Sequence, residues 1–455
     1  MKRIRSQNKI HPVNNQPGYL RNKQNYTSGT ATNMKAPKTR LQKIARFFKM
    51  LGPGLVTGAS DDDPSGIATY SQAGAQFGIA TLWTALITFP LMASIQEMCA
   101  RIGIVTAKGL TSTIRNNYPR PVLYLMILLT FPAVVLNIGA DIAGMGAVAN
   151  LIFPSVDTIY FTVGFTFLLM ALIILLPYQR MAAFLKYLCI FLLLYLVVPF
   201  LSKQDWGNIL KHTLIPSIHF DKAFIGILVG ILGTTISPYL FFWQATMEAE
   251  DVQHNKSKLV VNKKVIKKMG MDVDFGMLFS NVVMYFIILT TGTVLFNAGI
   301  HRIDSVEQAA KSLEPVAGKL AYLLFAVGVI GTGFLAIPVL SGSLSYILSD
   351  TFGWDSNLDK KYFEAKPFYW VIIVSLLVGL GINYLGISPI QALIYTAILY
   401  GITSPVMIAI VLHISNNKKV MGEFTNGKWS NFLGFVTLLL MTVAVAALLY
   451  LQFGG

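Results

Sequence analysis

The sequence predicts an all-α integral membrane protein with about eleven transmembrane helices, built as two inverted five-helix repeats plus one further helix. Three observations predict this class. Of the 455 residues, 54% are hydrophobic and only 13% are charged, which argues against a soluble chain. Apolar runs of about twenty residues, the length that a helix needs to cross a bilayer, recur from residue 51 onward. The first and sixth of these runs are interrupted at matching places.

The apolar runs are long enough for eleven spans, several with room for tilt. Their predicted bounds are Leu51–Phe77, Leu82–Thr106, Pro121–Ile152, Ile159–Pro177, Met181–Leu201, Ala223–Met247, Met271–Phe296, Leu320–Leu348, Phe368–Leu385, Pro389–Ile414 and Trp429–Leu451. Residues 50–201 then form the first repeat and residues 223–414 the second. Residues 202–222 form an external loop, and residues 415–455 a cytoplasmic loop and the eleventh helix.

Residues 1–49 form a basic tail with twelve Lys and Arg and no acid, and its polar composition predicts disorder. A basic flank before the first span is typical of a cytoplasmic terminus. The same orientation makes the intervening cytoplasmic loops richer in Lys and Arg than the external ones. We therefore assign the net charge of +15 to orientation in a plasma membrane, with the N-terminus inside and the C-terminus outside, and not to nucleic-acid binding.

The first span contains three consecutive acids, Asp61, Asp62 and Asp63, followed by Pro64 and Gly66. Each ionised acid costs roughly 2.5–3.5 kcal/mol at the centre of a membrane helix. Such a stretch is tolerated where the helix is locally unwound and faces a water-filled cavity or a bound cation. The stretch therefore predicts the centre of a cation path.

The sixth span carries a comparable interruption that ends in Ser237 and Pro238. Asp63 and Ser237 are good N-cap residues, and a Pro after each suits the first position of a restarted helix. Two spans that stop, unwind and restart at matching places in two halves are typical of a transporter whose site lies at the midplane.

The ligands available at the two breaks are all oxygen atoms. The last carbonyls of each first half-helix, around Ser60 and Thr234, lack intrahelical partners and carry partial negative charge. Asp63 adds a carboxylate and Ser237 a hydroxyl. Oxygen ligands suit hard cations such as Mg²⁺, Ca²⁺ or Mn²⁺.

Other side chains bear on the same prediction. Asp61, Asp62, Asp141 and Gln244 are candidates for lining the ion path or holding the ligands in place; for Asp141 in the third span, a purely structural acid is the alternative. No His or Cys lies at the breaks, so a soft transition-metal site is not indicated. No nucleophile–base pair is visible either, so we expect neither an enzyme nor a resident cofactor.

Several motifs, in order and spacing, resemble the NRAMP family of divalent-metal transporters from about residue 50 to the end. They are Gly52-Pro53-Gly54, Asp63-Pro64-Ser65-Gly66-Ile67-Ala68-Thr69, Gln72-Ala73-Gly74-Ala75-Gln76-Phe77-Gly78, Ala100-Arg101-Ile102-Gly103-Ile104-Val105-Thr106, Leu313-Glu314-Pro315 and Met421-Gly422-Glu423-Phe424. The resemblance implies the LeuT-like fold, with ten helices in two inverted repeats plus an eleventh and with helices 1 and 6 broken at the midplane.

The departures from the family fall on its metal site. Relative to the family's Asp-Pro-Gly-Asn, the Asp is kept as Asp63 and Gly66 replaces the Asn. The sixth-helix Met-Pro-His becomes Ser237-Pro238-Tyr239, and the third-helix Glu becomes Gly144. Loss of the thioether removes the soft ligand that favours Mn²⁺ and Fe²⁺. Loss of the imidazole and carboxylate puts proton coupling in doubt.

These substitutions resemble the NRAMP-related magnesium transporter branch, whose members carry Mg²⁺ and Mn²⁺ without proton coupling. The resemblance implies a Mg²⁺ carrier that also moves Mn²⁺ by alternating access, with metal contacts from Asp63, Ser60, Gly66, Thr234, Ser237 and Tyr239. The alternatives are a proton-coupled Mn²⁺/Fe²⁺ importer and a metal sensor that does not transport. The expected partners are a divalent cation and the lipid bilayer; the oligomeric state stays open.

Overall fold

The computed structural model describes residues 53–176, 194–201, 204–254, 261–358 and 360–453, and these contain helices and connections without a strand. The predicted basic tail, residues 1–49, lies outside the described residues. So does most of the predicted fifth span, Met181–Leu201, of which the last turns, Leu194–Leu201, are helical. The all-helical prediction is confirmed for the described part.

The first half of the chain contains seven described helices. They are α1 (Pro53–Asp61), α2 (Pro64–Phe77), α3 (Trp83–Thr106), α4 (Leu110–Asn117), α5 (Arg120–Ile152), α6 (Thr158–Leu175) and α7 (Leu194–Leu201). The first predicted span is thus two helices separated at Asp62 and Asp63, where the backbone of Asp63 is extended (φ −72°, ψ 172°). The predicted break in the first span is confirmed.

The second half begins with a helix inside the segment predicted as an external loop. The helices are α8 (Trp206–Leu214), α9 (Lys222–Thr235), α10 (Pro238–His254), α11 (Lys263–Val294), α12 (Val306–Ala310), α13 (Glu314–Ala317), α14 (Ala321–Phe352), α15 (Lys366–Ile382), α16 (Pro389–Asn416), α17 (Lys418–Met421) and α18 (Lys428–Phe453). The break between α9 and α10 confirms the prediction for the sixth span.

Two predicted boundaries need correction. Residues 202–222 are not only a loop, because α8 forms there behind the side-chain cap of Asp205 on the Asn208 amide. The helix of the seventh span begins at Lys263, ahead of the predicted span start Met271, because Asn262 caps it and four of its first six residues are lysines, which are good helix formers.

Seven helices of the described part are long and apolar enough to cross a membrane, counting α9 and α10 as one. They are Arg120–Ile152, Thr158–Leu175, Lys222–Gln253, Lys263–Val294, Ala321–Phe352, Pro389–Asn416 and Lys428–Phe453; Lys366–Ile382 is a shorter apolar helix. The count of eleven stays a prediction. Helix α3 contains an ion pair between Glu97 and Arg101, joined at 2.6 Å.

The two broken helices are packed inside the other helices. Helix α11 packs against α1 and α2, α16 packs against α9 and α2, and α5 packs against α14, α16 and α2. Glycines permit the closest approaches: a Cβ on Gly58 of α1 would lie 2.2 Å from the Gly276 carbonyl oxygen of α11. Both breaks are therefore enclosed by helices that supply side chains to them.

Candidate cation site

Asp63 lies at the start of α2 and is 2% exposed. Its Oδ1 accepts hydrogen bonds from the Gly66 amide (2.8 Å) and the Ser65 hydroxyl (2.6 Å). The first of these bonds is an N-cap, and the N-terminus of α2 places partial positive charge beside the carboxylate. The sequence-predicted cap is confirmed, and it fixes the orientation of the carboxylate.

A side chain of α5 holds the other carboxylate oxygen. The Asn137 amide donates to Asp63 Oδ2 (3.0 Å) and, one turn along α5, to Asp141 Oδ2 (3.2 Å). Asn137 Oδ1 and Asp141 Oδ1 are buried without a hydrogen-bond partner in the described part of the chain. Buried oxygens of this kind are costly unless they are paired or bind a cation.

The second break is closed by its own hydroxyls. Ser237 Oγ donates to the carbonyls of Gly233 (3.1 Å) and Thr234 (2.5 Å), while the Thr234 hydroxyl donates to the Gly230 and Ile231 carbonyls. Ser237 stands directly before Pro238, at the predicted N-cap position of α10, and its hydroxyl is used at the end of α9. The Thr234 carbonyl, predicted to lack a partner, accepts from Ser237 and keeps one further lone pair.

Tyr239 connects the two breaks. Its hydroxyl, on the first turn of α10, donates to the Ser60 carbonyl near the end of α1 (3.2 Å). The Ser60 hydroxyl is used inside α1, where it donates to the Val56 carbonyl (2.8 Å). The Tyr239 ring lies 5.5 Å from the ring of Tyr400 on α16, whose hydroxyl is buried without a partner. Tyr400 therefore lies beside Tyr239 at this side of the break.

Asp61 and Asp62 face the other side of the break, toward α11. The Ser280 hydroxyl lies 2.7 Å from Asp61 Oδ2 and 3.2 Å from Asp62 Oδ1. The remaining oxygens, Asp61 Oδ1 and Asp62 Oδ2, have no hydrogen-bond partner in the described residues. The three consecutive acids therefore point to two different neighbours, α5 for Asp63 and α11 for Asp61 and Asp62.

Gln244 lies apart from the other predicted site residues, two turns into α10. It accepts from the Thr57 hydroxyl of α1 (2.5 Å) and donates to Glu248 (2.9 Å). Glu248 is 5% exposed. Gln244 thus links α1 to a buried acid of α10, and its hydrogen bonds in the described residues go to none of the predicted ligands.

Two glycines mark where the site has lost side chains relative to the family pattern. A Cβ on Gly66 would lie 3.4 Å from the Asp61 carbonyl oxygen and 3.6 Å from Asp63 Oδ1, so position 66 faces the break. A Cβ on Gly144 would lie 3.1 Å from Leu393 and 3.7 Å from Pro64. Position 144, where the family pattern has the third-helix carboxylate, is therefore surrounded by apolar side chains in this protein.

The site is rich in acids and closed to solvent. Asp61, Asp62, Asp63 and Asp141 are each at most 2% exposed, and none takes part in the ion pairs of the described residues. Within those residues, no three His, Cys, Asp or Glu side chains are grouped as a metal-binding set. A cation here would be held by carboxylates, carbonyls and hydroxyls together. Such a mixed set binds less tightly than a cluster of three or more charged ligands, so it suits a cation that must also be released.

The comparison with protein families decides the family. Residues 54–451 match the family described as Nramp, natural resistance-associated macrophage protein-like. This chain belongs to the Nramp family. The resemblance inferred from the motifs is confirmed over the same part of the chain.

Curated Nramp relatives match over most of their length. The divalent metal cation transporter MntH of Caldanaerobacter subterraneus subsp. tengcongensis is 25% identical over 418 residues, covering 91% of this chain and 95% of the relative. MntH of Clostridium acetobutylicum is also 25% identical over 418 residues, covering 91% and 93%. These relatives are named as transporters and not as enzymes.

Solved structures share the fold. A manganese transporter of Eremococcus coleocola, in complex with an aromatic bis-isothiourea substituted compound, has a TM-score of 0.68 at 18% identity, covering 92% of this chain and 88% of that one. Mhp1, a nucleobase-cation-symport-1 family transporter in a closed conformation, has a TM-score of 0.54 at 14% identity, covering 88% and 90%. The predicted LeuT-like fold of this Nramp protein is therefore confirmed.

Four groups at the site are not among the residues predicted from the sequence: Asn137, Ser280, Tyr400 and Tyr70, the last next to Gly66. Asn137 could have been predicted from the sequence, because it is an amide that lies one helical turn before Asp141 in an apolar span. The other three are ordinary in composition, and only packing brings them to the break.

Proposed function

We propose that this Nramp protein transports hard divalent cations across the plasma membrane, with Mg²⁺ as the main substrate and Mn²⁺ as a second one, by alternating access and without proton coupling. The observation that carries the proposal is the ligand set between the two breaks. It consists of oxygen atoms from Asp63, Asn137, Asp141 and the carbonyls that end α1 and α9.

The absence of a soft ligand among these groups favours Mg²⁺. A thioether or imidazole stabilises Mn²⁺ and Fe²⁺ relative to Mg²⁺, and positions 237 and 239, after the second break, carry Ser and Tyr instead. The serine hydroxyl turns back to α9 and adds no soft atom. Discrimination against Mg²⁺ is therefore weak in this site.

The hydroxyls and amides suit a cation that keeps part of its water. Mg²⁺ loses water reluctantly and is often bound by one or two carboxylates together with several waters. Tyr400 Oη, Asn137 Oδ1 and Asp141 Oδ1 are buried and unpartnered, so they can accept hydrogen bonds from, or donate to, such waters. Asp63 supplies the direct charge.

The lack of a carboxylate at Gly144 supports the absence of proton coupling. Leu393 and Pro64 pack around that position, so no titrating group connects Asp141 to the outer end of α5 there. The competing function is a proton-coupled Mn²⁺/Fe²⁺ importer. The buried Asp61, Asp62 and Asp141 are the observation in its favour, because they could carry protons.

Uptake into proteoliposomes tests the proposal. We expect Mg²⁺ and Mn²⁺ to enter down their gradients while an internal pH dye stays constant. Asp63→Ala should abolish uptake of both ions, because it removes the charge at the break. Asp304→Asn, an exposed acid on an external connection in the proposed orientation, serves as the matched control and should transport normally.

Three outcomes would replace the proposal. Acidification that accompanies Mn²⁺ entry would identify the proton-coupled importer. Metal binding without flux would identify a sensor. Full Mg²⁺ flux in Asp63→Ala would place the site elsewhere.

A further inference from the structure

A cavity of about 450 Å³ lies between the first turns of α11, helix α3 and residues 423–425, at the cytoplasmic end of the proposed orientation. The side chains of its lining that matter here are Glu97, Arg101, Lys263, Lys267, Asp274 and Phe424. We propose that this cavity binds the magnesium complex of a nucleoside diphosphate or triphosphate. The proposal goes beyond transport and does not depend on which ion Asp63 carries.

Charges of both signs line the cavity without neutralising each other. Arg101 pairs with Glu97 at 2.6 Å, and its guanidinium also donates to the Asn426 side chain at 3.1 Å. No ion pair of the described residues includes the other four charged groups of the lining, Lys263, Lys267, Asp274 and Glu423. These groups are therefore available to a ligand that carries both signs of charge.

The basic and acidic groups are separated along α11. Lys263 and Lys267 lie in the first two turns, and Asp274 follows Lys267 by seven residues, or about 10 Å along the helix axis. Glu97 of α3 lies at the same inner end, because its carboxyl carbon is 3.7 Å from the Cβ position of Gly270, one turn before Asp274. Along these two helices, the cavity thus has a basic outer end and an acidic inner end.

The position of the lysines favours a water-soluble ligand over a lipid headgroup. Residues 275–294 of α11 carry no charge and supply the roughly twenty residues that cross a bilayer. Lys267 and Lys263 precede this run by eight and twelve residues, so their Cα atoms lie about 12 and 18 Å beyond the hydrocarbon when the helix is upright. The headgroup layer is only about 5–8 Å thick on each side, so both lysines extend past it.

A complex of Mg²⁺ with phosphate groups matches both ends of the cavity. Mg²⁺ is commonly bound by one or two carboxylates together with the phosphates of a substrate, and Asp274 and Glu97 are such carboxylates. Lysine ammonium groups form charge-assisted hydrogen bonds with phosphate oxygens. The first amides of α11 already donate to the Asn262 side chain, at 2.9 and 3.1 Å, so the lysine side chains supply the phosphate contacts.

An apolar part of the lining can receive the base of a nucleotide. Phe424 is half-buried and lines the cavity together with Ile266 and Met271. An aromatic ring is a surface on which a nucleic-acid base stacks favourably. The volume of about 450 Å³ lies within the range of small-molecule sites, which is roughly 300–1,000 Å³. A nucleotide combines the three features that the cavity requires: a bound cation, phosphates and an aromatic base.

Calorimetric titration of the purified full chain with MgADP tests the proposal, with equal MgCl₂ in cell and syringe so that metal binding at Asp63 adds no heat. We expect one site per chain. Lys263→Ala/Lys267→Ala should weaken binding by about tenfold, because the phosphates lose two charged donors. Lys264→Ala/Lys268→Ala is the matched control: it removes the same charge from the same turns but not from the lining, and should bind like the wild type.

The same titration separates the parts of the ligand. ADP in the presence of EDTA should bind about tenfold more weakly than MgADP, and Asp274→Asn should abolish that difference. Magnesium pyrophosphate should bind more weakly than MgADP, because it has no base to stack on Phe424. Equal affinities for ADP with and without Mg²⁺, or for ADP and pyrophosphate, would overturn the assigned ligand.

Equal weakening in both double variants would overturn the site, because it would show a general attraction to basic surface. Absence of binding at millimolar MgADP would overturn it too, as would displacement of MgADP by phosphatidylglycerol in mixed micelles. If Lys263→Ala/Lys267→Ala does not fold, photolabelling of the wild type with azido-ADP should modify the peptide that contains Phe424, and labelling only elsewhere would contradict the proposal. Asp63→Ala should bind MgADP like the wild type, so a failure of the proposed transport leaves this result unaffected.

Discussion

At the scale of single residues, Asn137 is the group that organises the site. Its amide has two protons, and each is given to a different carboxylate, Asp63 and Asp141. Because hydrogen bonds to charged groups contribute about 1.5–3 kcal/mol, this amide holds both acids in fixed positions. The amide also sets the separation between the two carboxyl groups.

Replacing Asn137 by Ala should therefore weaken Mg²⁺ binding by about tenfold, or roughly 1.4 kcal/mol, because the carboxylates lose their common donor. Titration calorimetry on the purified protein measures the change. Asn150→Ala is the matched control on the same helix, since Asn150 bonds only the Val156 carbonyl near the outer end. An unaltered affinity in Asn137→Ala would remove this residue from the site.

In the proposed site, the residue at position 237 decides whether a soft ligand atom is present. Placing a thioether there, as Ser237→Met, should raise the ratio of Mn²⁺ to Mg²⁺ uptake by about tenfold or more, since borderline-soft ions gain most from sulfur. Competition uptake in proteoliposomes measures the ratio. Ser155→Met, at an exposed position, should leave the ratio as it is in the wild type. Equal ratios in both variants would contradict the ligand argument.

At the scale of elements, α1 is held against α11 by backbone contact. Gly54, Gly58 and Gly276 allow the two helices to touch, and the Gly54 amide donates to Asp272 of α11 at 2.8 Å. Such contact requires the absence of Cβ atoms on facing positions. The close packing of α1 against α11 therefore depends on these three glycines. Any movement of α1 away from α11 must first separate them.

Gly58→Ala should destabilise this closed packing by about 1–3 kcal/mol, because its Cβ would overlap the Gly276 carbonyl. We expect a lower melting temperature of the purified protein and slower uptake. Gly164→Ala is the matched control, since its Cβ would meet nothing within 4 Å. A melting temperature equal to that of the control would mean that α1 does not rest on α11 in solution.

At the scale of the whole molecule, two surface cavities lie at opposite ends of the proposed orientation. One of about 440 Å³ is lined by residues that include Asp157, Thr162 and Asp304. The other, of about 450 Å³, is lined by residues that include Lys263, Lys267 and Glu423. The basic residues belong to the second cavity, as expected for a cytoplasmic face.

Labelling of single cysteines on intact cells tests this orientation. In a background without Cys99 and Cys189, an impermeant maleimide should modify Asp304→Cys but not Glu423→Cys, and permeabilised cells should show modification of both. Asp304 and Glu423 are both exposed, so the side from which the maleimide has access decides the result. The opposite pattern would invert the proposed topology.

The sequence by itself determined the all-helical membrane class, the family and the position of both breaks. These follow from local properties: apolar runs of sufficient length, Pro after a capping residue, and acids that hydrocarbon would not tolerate. The N-cap of Asp63 belongs to the same group, because a cap spans only three residues. Most helix bounds agree within a few residues for the same reason.

Only the tertiary structure decided how the three acids divide between neighbours, since α5 and α11 are distant in sequence and a side chain's direction depends on the helix packed beside it. It also showed that the Ser237 hydroxyl donates to a carbonyl at the end of α9 and that the Tyr239 hydroxyl donates to the Ser60 carbonyl. Gln244 forms its hydrogen bond with Thr57 instead. A motif in the sequence predicts which residues can supply ligand atoms. Long-range packing decides which of their oxygens stay without a hydrogen-bond partner, and in the proposed site those oxygens are the ones that a cation can contact.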